Sequence, residues 1–182
     1  MTKKLLVLAV LGFLFHASAA AAQRRASASH PVEFGIDGAL LFTLDDPHAT
    51  VLTLPVQDFR VGLFYNDQVE FEPRFNLTSA HGGGISATDY TFELGVLFIP
   101  GGDRVGKSLY VRPFLGVSGA KLSGDLGDAS DNSGYGGIGL GVKLPFSDRR
   151  LATRLEANYT RGFDDDGTDA IGVLFGLSFY TR

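Results

Sequence analysis

The stretch AIGVLFGLSFY, residues 170–180, lies close to the end of the chain and alternates between two kinds of residue. Its bulky apolar members occupy every second position: Ile171, Val173, Phe175, Leu177 and Phe179. The positions between them are small or polar, except for Leu174 and Tyr180. Because successive side chains of an extended strand point to opposite faces, this spacing predicts a strand with one large apolar face and one small face.

The same two-residue period recurs in seven earlier segments of the chain. We predict strands over 32–44, 52–65, 69–78, 88–98, 109–117, 138–146 and 151–159. Turn-forming residues separate the strands at 45–48, 66–68, 81–84, 100–103, 123–133, 147–149 and 164–167. In the second segment the alternation changes phase, which predicts either a β-bulge or a late strand start near Gln57. No helical period follows residue 31, so the pattern predicts an all-β chain of eight strands.

The two faces of these strands differ in a way that favours a membrane barrel over a soluble one. The apolar rows cover about the ten residues that a tilted strand needs to cross a bilayer. Aromatic residues lie near the ends of the rows, where interfacial girdles form: Phe42, Tyr65, Phe98, Phe146, Tyr159 and Phe179. The opposite face combines glycines with charges of both signs, which suits a narrow eight-stranded lumen filled by side chains. The predicted lumen-facing charge network consists of Arg60, Glu70, Glu72, Arg74, Glu93, Arg112, Lys143, Arg154 and Glu156.

The 170–180 stretch resembles the last strand of bacterial outer-membrane β-barrels, in which a glycine precedes alternating apolar and aromatic residues. The pattern is carried by Gly172, Phe175, Gly176, Phe179 and Tyr180, and Thr181 and Arg182 follow it. The whole mature chain is similar to the small eight-stranded barrels of the OmpX type and to the OmpA transmembrane domain. This resemblance implies an antiparallel up-and-down transmembrane β-barrel that the last strand closes. It also implies a monomer that contacts membrane lipid and lipopolysaccharide and is placed in the cell outer membrane by the insertion machinery.

The N-terminus has the composition of an export signal. The chain begins Met1-Thr2-Lys3-Lys4, continues apolar to Phe15 and then contains small residues over 17–22. A positive start, a short apolar core and an Ala-x-Ala exit predict a secretory signal peptide over 1–22, with cleavage after Ala22 or, nearly as well, after Ala19. A short N-terminal segment over 23–31 then precedes the outer-membrane barrel over 32–182. The protein is therefore expected in the envelope of a Gram-negative cell, with both termini on the periplasmic side.

Charge and composition exclude several classes of function. The formal net charge is −4, and removal of the signal peptide with Lys3 and Lys4 makes it more negative still. A nucleic-acid binder needs a basic face instead. The chain contains no cysteine, so neither a disulfide nor a thiolate metal site can form. We expect no nucleic-acid partner, no cofactor and no metal ion.

Three motifs resemble chemical sites, and a simpler interpretation is favoured for each. Residues 101–108 fit the phosphate-loop formula, but an alternating segment follows them where that formula needs a helix. The aspartates within 123–133 and 164–167 lack the spacing of a calcium loop and are expected on solvated loops. Ser79 and His81 share a predicted loop after Glu70 and Glu72, with no spacing typical of a catalytic triad. We predict no catalytic residues.

The sequence thus predicts an integral outer-membrane β-barrel with a filled polar lumen, a structural or interaction role and no catalysis. One alternative is a soluble periplasmic lipocalin-like barrel that binds an apolar ligand in a cavity lined by Phe71, Phe75, Phe92 and Leu115. A second alternative is a lipid A-modifying enzyme of the outer membrane. The face on which the bulky apolar side chains lie decides between the membrane barrel and the soluble one.

Overall fold

The structure is a computed structural model that describes residues 31–45, 49–82, 85–101, 107–124, 127–147, 150–164 and 167–181. Within these ranges it contains eight strands: β1 Val32–Thr43, β2 Thr50–Phe64, β3 Val69–Gly82, β4 Ile85–Phe98, β5 Ser108–Gly124, β6 Gly127–Pro145, β7 Leu151–Gly162 and β8 Asp169–Tyr180. No helix in the described ranges is long and apolar enough to cross a bilayer. The predicted signal peptide over 1–22 and the segment over 23–30 lie outside the described residues.

The strands follow one another in chain order around a closed antiparallel barrel, which confirms the predicted fold. Closure comes from β8, which pairs with β7 on one side and with β1 on the other. The β1–β8 register runs from Glu33 opposite Tyr180 to Thr43 opposite Ala170. Because the sheet closes on itself, the pairing of β1 with β8 leaves no strand edge exposed to lipid, where unpaired backbone groups cost several kcal/mol each.

Bulky apolar side chains lie on the outside of the barrel. Phe75, Phe92 and Leu115 are 47%, 45% and 60% exposed, and Phe71 is half-buried. The predicted lipocalin-like cavity is therefore wrong, because the residues assigned to line it lie on the outer surface. The predicted girdle residues are also exposed: Phe42, Tyr65, Phe98, Phe146, Tyr159 and Phe179. In β8 the apolar row faces outward as well, with Phe175 and Phe179 exposed, whereas Leu174 and Tyr180 are buried inside.

The predicted irregularity near Gln57 is a β-bulge. The β1–β2 register shifts between Asp37, which faces Asp58, and Ala39, which faces Thr53. The extra residues in β2 reverse its alternation, so Leu52 and Phe59 both lie on the outer face at 60% and 61% exposure. Because β2 already begins at Thr50, the bulge and not a late strand start explains the change of phase.

Two predicted loops are strands. His81 and Gly82 belong to β3, and only 83–84 separate β3 from β4. The segment 123–133 is a hairpin, since β5 continues to Gly124 and β6 begins at Gly127. The prediction was wrong because these segments are rich in Gly, Ser, Asp and Asn, which are usual in turns. The hydrogen bonds between strands are made by backbone groups, however, so a strand continues through turn-like residues as long as a neighbouring strand pairs with it.

The connection between β2 and β3 is the tight turn predicted over 66–68. The side-chain Oδ1 of Asn66 accepts hydrogen bonds from the backbone N–H groups of Gln68 and Val69, both at 2.8 Å. Tyr65 N–H donates to the Val69 carbonyl at 2.9 Å. An asparagine that bonds to its own downstream backbone is a common way to close such a turn.

The barrel has two ends that carry different connections. The terminal end holds the start of β1, the end of β8 and the connections that follow β2, β4 and β6. The distal end holds the connections that follow β1, β3, β5 and β7. Parts of these connections, at 46–48, 102–106, 148–149 and 165–166, lie outside the described residues.

Candidate functional site

The interior of the barrel contains a cluster of charged side chains, which we call the lumen network. It comprises Glu33, Asp37, Arg60, Glu70, Glu72, Arg74, Glu93, Arg112, Lys143, Arg154 and Glu156. Each lies on the inward face of its strand, because successive side chains alternate between the two faces and the apolar residues of these strands occupy the outward positions. Apart from Glu93, whose side chain is 12% exposed, these residues are buried. Charges removed from water in this way need partners, since an unpaired one costs several kcal/mol.

The centre of the lumen network is a pair of carboxylates that holds three arginines. Glu72 accepts from Arg74 Nε at 2.9 Å and from Arg154 Nη1. Glu156 accepts from Arg112 Nη2 and from Arg154 Nη2, both at 2.7 Å, and from Arg74 Nη2 at 3.3 Å. Each arginine therefore lies within ion-pair distance of both carboxylates, because Arg112 Nε is also 3.8 Å from Glu72. Such charge-assisted bonds are the stronger kind, and here they join β3, β5 and β7 across the bore.

A second branch of the network joins β1, β2, β3, β6 and β8. Lys143 Nζ bridges Glu33 and Glu70, with a distance of 2.7 Å to Glu70 Oε2. Arg60 pairs with Glu33 through Nη1 and with Asp37 through Nε at 2.9 Å. Arg60 Nη2 also donates to Ser178 Oγ on β8 at 2.7 Å. With Glu93 of β4 bound to Arg112, the network takes at least one side chain from each of β1 to β7 and is bonded to β8 through Ser178.

Three of the network's carboxylates are close enough to hold a metal ion. Oxygens of Glu33, Glu70 and Glu72 lie within 4.8 Å of one another. The ammonium of Lys143 already bridges Glu33 and Glu70, and Arg154 binds Glu72. Protein cations therefore supply the positive charge at this place, and the arrangement is that of a salt-bridge cluster.

An apolar layer lies next to the network at the terminal end of the lumen. Its buried members are Phe64, Leu97, Ile99, Tyr110, Ala152 and Tyr180. Tyr110 connects the two layers, since its hydroxyl donates to Glu156 at 2.8 Å and accepts from Arg154 Nε at 2.6 Å. Lys143 Nζ lies 5.4 Å from the centre of the Phe64 ring and 5.9 Å from that of Tyr180. A charged layer and an apolar layer are thus stacked along the bore.

Inward-facing glycines make room for the long charged side chains. A Cβ added to Gly35 would collide with the Arg60 guanidinium, and one added to Gly62 would collide with the Glu70 carboxylate. At Gly176 the obstacle is the Asp37 carboxylate together with the Ile36 carbonyl. Four arginines and one lysine fit in an eight-stranded lumen, because the inward glycines of neighbouring strands have no side chain and leave space for them.

The structure brings all nine predicted lumen-facing charges into ion pairs with one another or with β1. Arg60, for example, pairs with Glu33, and Lys143 bridges Glu33 and Glu70. Sequence reasoning omitted Glu33 and Asp37, although both occupy the polar face of β1. It also omitted Tyr110, whose hydroxyl lies within the network. The only feature of the sequence that could have identified these three residues is their position on the inward face of a strand. Tyr110, for example, alternates with Leu109 and Val111 on β5.

A second candidate site lies at the distal end, where β3 to β6 continue beyond the last described pair of β3 with β2 and of β6 with β7. The extension consists of 76–82, 85–91, 118–124 and 127–133, and we call it the projecting sheet. Its outer edge on β3 lies beyond the last described pair with β2, Phe59 with Phe75. Its outer edge on β6 lies beyond the last pair with β7, Tyr135 with Gly162. The four strands remain paired with one another up to their tips.

The outer face of the projecting sheet is polar. One row across the four strands contains Ser79, Thr88, Lys121 and Ser130. Ser79 Oγ and Thr88 Oγ1 are 3.2 Å apart, and Ser86 Oγ lies 3.0 Å from His81 Nδ1. The Ser86–His81 contact joins residues that are directly opposite in register. It is a cross-strand hydrogen bond of a kind that commonly stabilises sheets.

The phosphate-loop formula and the aspartate clusters lie partly outside the described residues. Residues 102–106 of the phosphate-loop formula lie outside them, and Ser108 begins strand β5 where the formula needs a helix. Asp125, Asp165 and Asp166 lie outside them too, as does the side chain of Asp128. Asp131 is on β6 and Asp164 follows β7, both exposed.

Comparison with known proteins identifies the family. The family model described as Outer membrane protein beta-barrel domain matches residues 6–179. The chain belongs to this family. No curated protein sequence matches the chain.

Solved structures of other outer-membrane barrels share the fold. Ail, the attachment invasion locus protein of Yersinia pestis, superposes with a TM-score of 0.53 at 16% identity, over 85% of this chain and 100% of that one. The N-terminal β-barrel domain of Pseudomonas aeruginosa OprF gives 0.56 at 19% identity, over 82% and 97%. Neisserial surface protein A gives 0.60 at 12% identity, over 83% and 99%. At these identities the likeness concerns the fold.

The protein is therefore an integral β-barrel of the cell outer membrane. Its apolar exterior faces lipid, and its lumen is filled by polar and charged side chains. The three similar structures are described as an attachment invasion locus protein, a barrel domain and a surface protein, and none as an enzyme.

Proposed function

We propose that this outer-membrane barrel is a non-catalytic surface protein whose projecting sheet binds a partner outside the cell, while the lumen network holds the barrel in one closed shape. The observation that carries the proposal is the projecting sheet itself. Four strands stay paired with one another beyond the last described pairs with β2 and β7, and on the β6 edge no described strand continues the sheet. A protein that serves only as a structural barrel has no need of this extension.

The edge on β6 supports a binding role because its backbone groups are directed away from the sheet. The Gly134 carbonyl accepts a hydrogen bond from Phe163 N–H of the β7–β8 connection at 2.8 Å. Since backbone groups alternate in direction along a strand, Asn132 and Ser130 direct theirs to the same side. Beyond Gly134 no described strand lies there to accept them. Unpaired strand edges are a known mode of recognition for extended polypeptides.

The orientation of the barrel follows from the position of its ends. Both termini lie at one end, as an even number of strands requires. The terminal end faces the periplasm, and the distal end with the projecting sheet faces the outside.

Residues 1–22 are the export signal that leads to this arrangement, 23–31 are a short N-terminal segment and the barrel domain begins at 32. N-terminal sequencing of the mature protein tests this division, and a first residue other than Gln23 or Ala20 would contradict the predicted cleavage.

We assign the lumen a stabilising role and not a channel function. The lumen network and the adjacent apolar layer are both buried, ion pairs join β1 to β7, and Arg60 is hydrogen-bonded to Ser178 of β8. Eight strands enclose a lumen just wide enough for side chains. The expected result is no ion conductance above that of the lipid bilayer when the purified barrel is inserted into it. A steady conductance abolished by a bulky substitution such as Gly62→Phe would contradict this assignment.

The remaining partners follow from the location of the protein. The barrel is a monomer whose apolar surface contacts acyl chains and whose distal rim contacts lipopolysaccharide. The β8 pattern Gly172, Phe175, Gly176, Phe179 and Tyr180 is the segment that the insertion machinery recognises, and it is supported by the exposure of Phe175 and Phe179. Heparin-like polyanions are not proposed as ligands, although Ail has been crystallised with the heparin analogue sucrose octasulfate. The exposed residues Asp45, Asp89 and Asp131 give the distal end of this barrel the opposite charge.

Catalysis at the distal rim is not proposed. The Ser86–His81 pair is exposed, and no described carboxylate binds the imidazole. A serine nucleophile requires a base that is oriented by a third group, together with donors for the oxyanion. Lipid A extracted from cells that express His81→Ala is expected to have the same mass spectrum as that from wild-type cells.

The proposed orientation is tested by labelling single cysteines, because the natural chain contains none. Ser130→Cys on the projecting sheet should react with a membrane-impermeant maleimide on intact cells. Asp67→Cys, in the β2–β3 turn of the terminal end, is the matched control and should react only after the cells are broken. The reverse pattern would overturn the proposed function.

A further inference from the structure

The inner face of the projecting sheet contains an apolar row, in contrast to the charged lumen below it. The register aligns Ala80, Ala87, Leu122 and Ala129 in one row across the four strands. Leu122 is 48% exposed, and Ile85, two positions nearer the tip of β4, is 52% exposed. The row continues the inward face of each strand, since 80 and 122 differ by even numbers from the buried Arg74 and Arg112. The small side chains make this a flat surface that another chain can approach closely.

Two aspartates lie on the same face, next to the apolar row. In register, Asp89 of β4 and Asp131 of β6 flank Ala120 of β5. Both aspartates are exposed. On the described inner face of the projecting sheet no basic residue accompanies them, because Lys121 and His81 lie on the outer face. Carboxylates on one surface without basic neighbours attract a partner of positive charge.

The opposite part of the distal rim carries a net negative charge as well, although Arg161 at the end of β7 is basic and pairs with Asp169 there. Asp45 follows β1 and Asp164 follows β7, and both are exposed. Asp45 Oδ2 accepts a hydrogen bond from Asp169 N–H at 2.6 Å, which fixes one acidic side chain at this rim. A ligand that approaches the distal mouth therefore meets negative charge before it meets the apolar row.

We infer that the distal mouth binds a cationic amphipathic peptide. Its apolar side chains would lie on the row of Ala80, Ala87, Leu122 and Ala129, and its lysines or arginines would pair with Asp89 and Asp131. This inference rests on the proposed function in so far as the projecting sheet faces outside the cell. Charge complementarity and the exposed apolar row together select this occupant, because an amphipathic cation satisfies the aspartates and the apolar surface at once.

The inference is tested with the isotope-labelled barrel in phosphatidylcholine nanodiscs. The probe is a synthetic amphipathic peptide of leucine and lysine, and the control peptide has glutamate in place of every lysine. Empty nanodiscs give the background of peptide bound to lipid. The lysine peptide should shift the backbone amide resonances of Ala87, Leu122 and Ala129, and the glutamate peptide should leave them unchanged.

Variants locate the contacts. Asp89→Asn and Asp131→Asn should each weaken the binding of the lysine peptide about two- to fivefold at low salt, as expected of exposed charge pairs. Asp67→Asn removes the same charge at the terminal end and should bind as the wild type does. Leu122→Ser should weaken binding at both low and high salt, whereas the effect of the two aspartate variants should diminish as salt screens the charges.

Three results would overturn the inference: equal binding of the two peptides, equal affinity of wild type and both aspartate variants, or resonance shifts confined to outer-face residues such as Ser79 and Lys121. None of them depends on which end of the barrel faces outside the cell. The cysteine-labelling experiment decides that orientation separately, so failure of the proposed function and failure of this inference are distinguishable.

Discussion

The lumen and the projecting sheet are built from the same strands and have opposite polarity. Along β5, Arg112 faces inward and Leu115 outward within the barrel, whereas Leu122 faces inward and Lys121 outward in the projecting sheet. The alternation of side chains continues without a break, but the apolar residues change from one face to the other. What differs is the surroundings of each face. The outer face of the barrel meets lipid, whereas the projecting sheet, as proposed, lies beyond the bilayer and exposes both faces to water or a partner.

The two regions also differ in how tightly their residues are packed. In the lumen, charged side chains form ion pairs with residues of other strands, and several of them lie directly against an inward-facing glycine. In the projecting sheet most side chains are exposed on both faces. A substitution should therefore be costly in the first region and nearly neutral in the second. The following predictions test this difference, from the largest expected effect to the smallest.

The largest effect is expected from Glu156→Ala in the centre of the lumen network. It leaves Arg74, Arg112 and Arg154 with one carboxylate of the central pair, Glu72. Removing one partner of a buried ion pair costs about 3–5 kcal/mol, because an uncompensated charge remains. The free energy of unfolding, measured by urea titration of the detergent-refolded barrel, should fall by about this amount. A loss below 1 kcal/mol would show that the interior is far more hydrated than its burial indicates.

A smaller loss is expected when an inward glycine gains a side chain. Gly176→Ala places a methyl group against the Asp37 carboxylate and the Ile36 carbonyl, and the backbone atom cannot move aside easily. Overpacking of this kind costs about 1–3 kcal/mol. Gly101→Ala is the matched control, because nothing lies within 4 Å of the added carbon. The urea midpoint of G176A should fall while that of G101A stays close to wild type, and equal midpoints would contradict the role given to inward glycines.

The amides of the two regions should exchange with solvent at different rates. Asn132 and Ser130 lie on the edge of β6 beyond its last pair with β7, so their N–H groups should exchange within minutes. Arg154, which is paired on both sides with Lys143 and Gly176, should be protected for hours or longer. Hydrogen exchange followed by mass spectrometry measures both. Protection of the β6 edge in the isolated protein would mean that another segment covers it.

The smallest effect is expected in the projecting sheet itself. Leu122→Ser replaces a half-exposed side chain that lies among alanines. Surface substitutions of this type change stability by about 0.5 kcal/mol or less. The urea midpoint of L122S should match that of wild type within error, which also makes the variant suitable for the peptide-binding experiment. A large loss would indicate that the row is covered within the same chain.

The sequence allowed the strand count, the closed barrel and the inward position of residues such as Arg112 and Glu156 to be predicted, because a period of two is visible in any strand with one apolar face. The sequence indicated that these charges would pair with one another, but it did not allow the partner of each charge to be predicted. Lys143 and Glu33 are far apart in the chain, and whether their side chains meet depends on the stagger of eight strands. Inward position does not contain that information.

The projecting sheet was missed for a different reason. The segment 123–133 was interpreted as a loop because its composition is that of turns, and the strand pattern used elsewhere relied on bulky apolar residues facing lipid. Once a strand leaves the membrane that requirement ends, and glycine, serine and aspartate occupy both faces. The alanines at 80, 87 and 129 carry no recognisable period by themselves. Only the register shows that they lie side by side.

The seam between the first and last strands has a consequence for biogenesis. Glu33 lies opposite Tyr180, so the two segments that complete the ring are the first and the last strands of the barrel to be synthesised. Native pairing at this seam must wait until β8 has been synthesised, and ring formation brings together residues separated by almost the whole domain, which is slow. Until then the emerging chain would need holding in an unassembled form. A transcript truncated before β8 should accordingly yield no partial barrel at all, but a polypeptide destined for degradation.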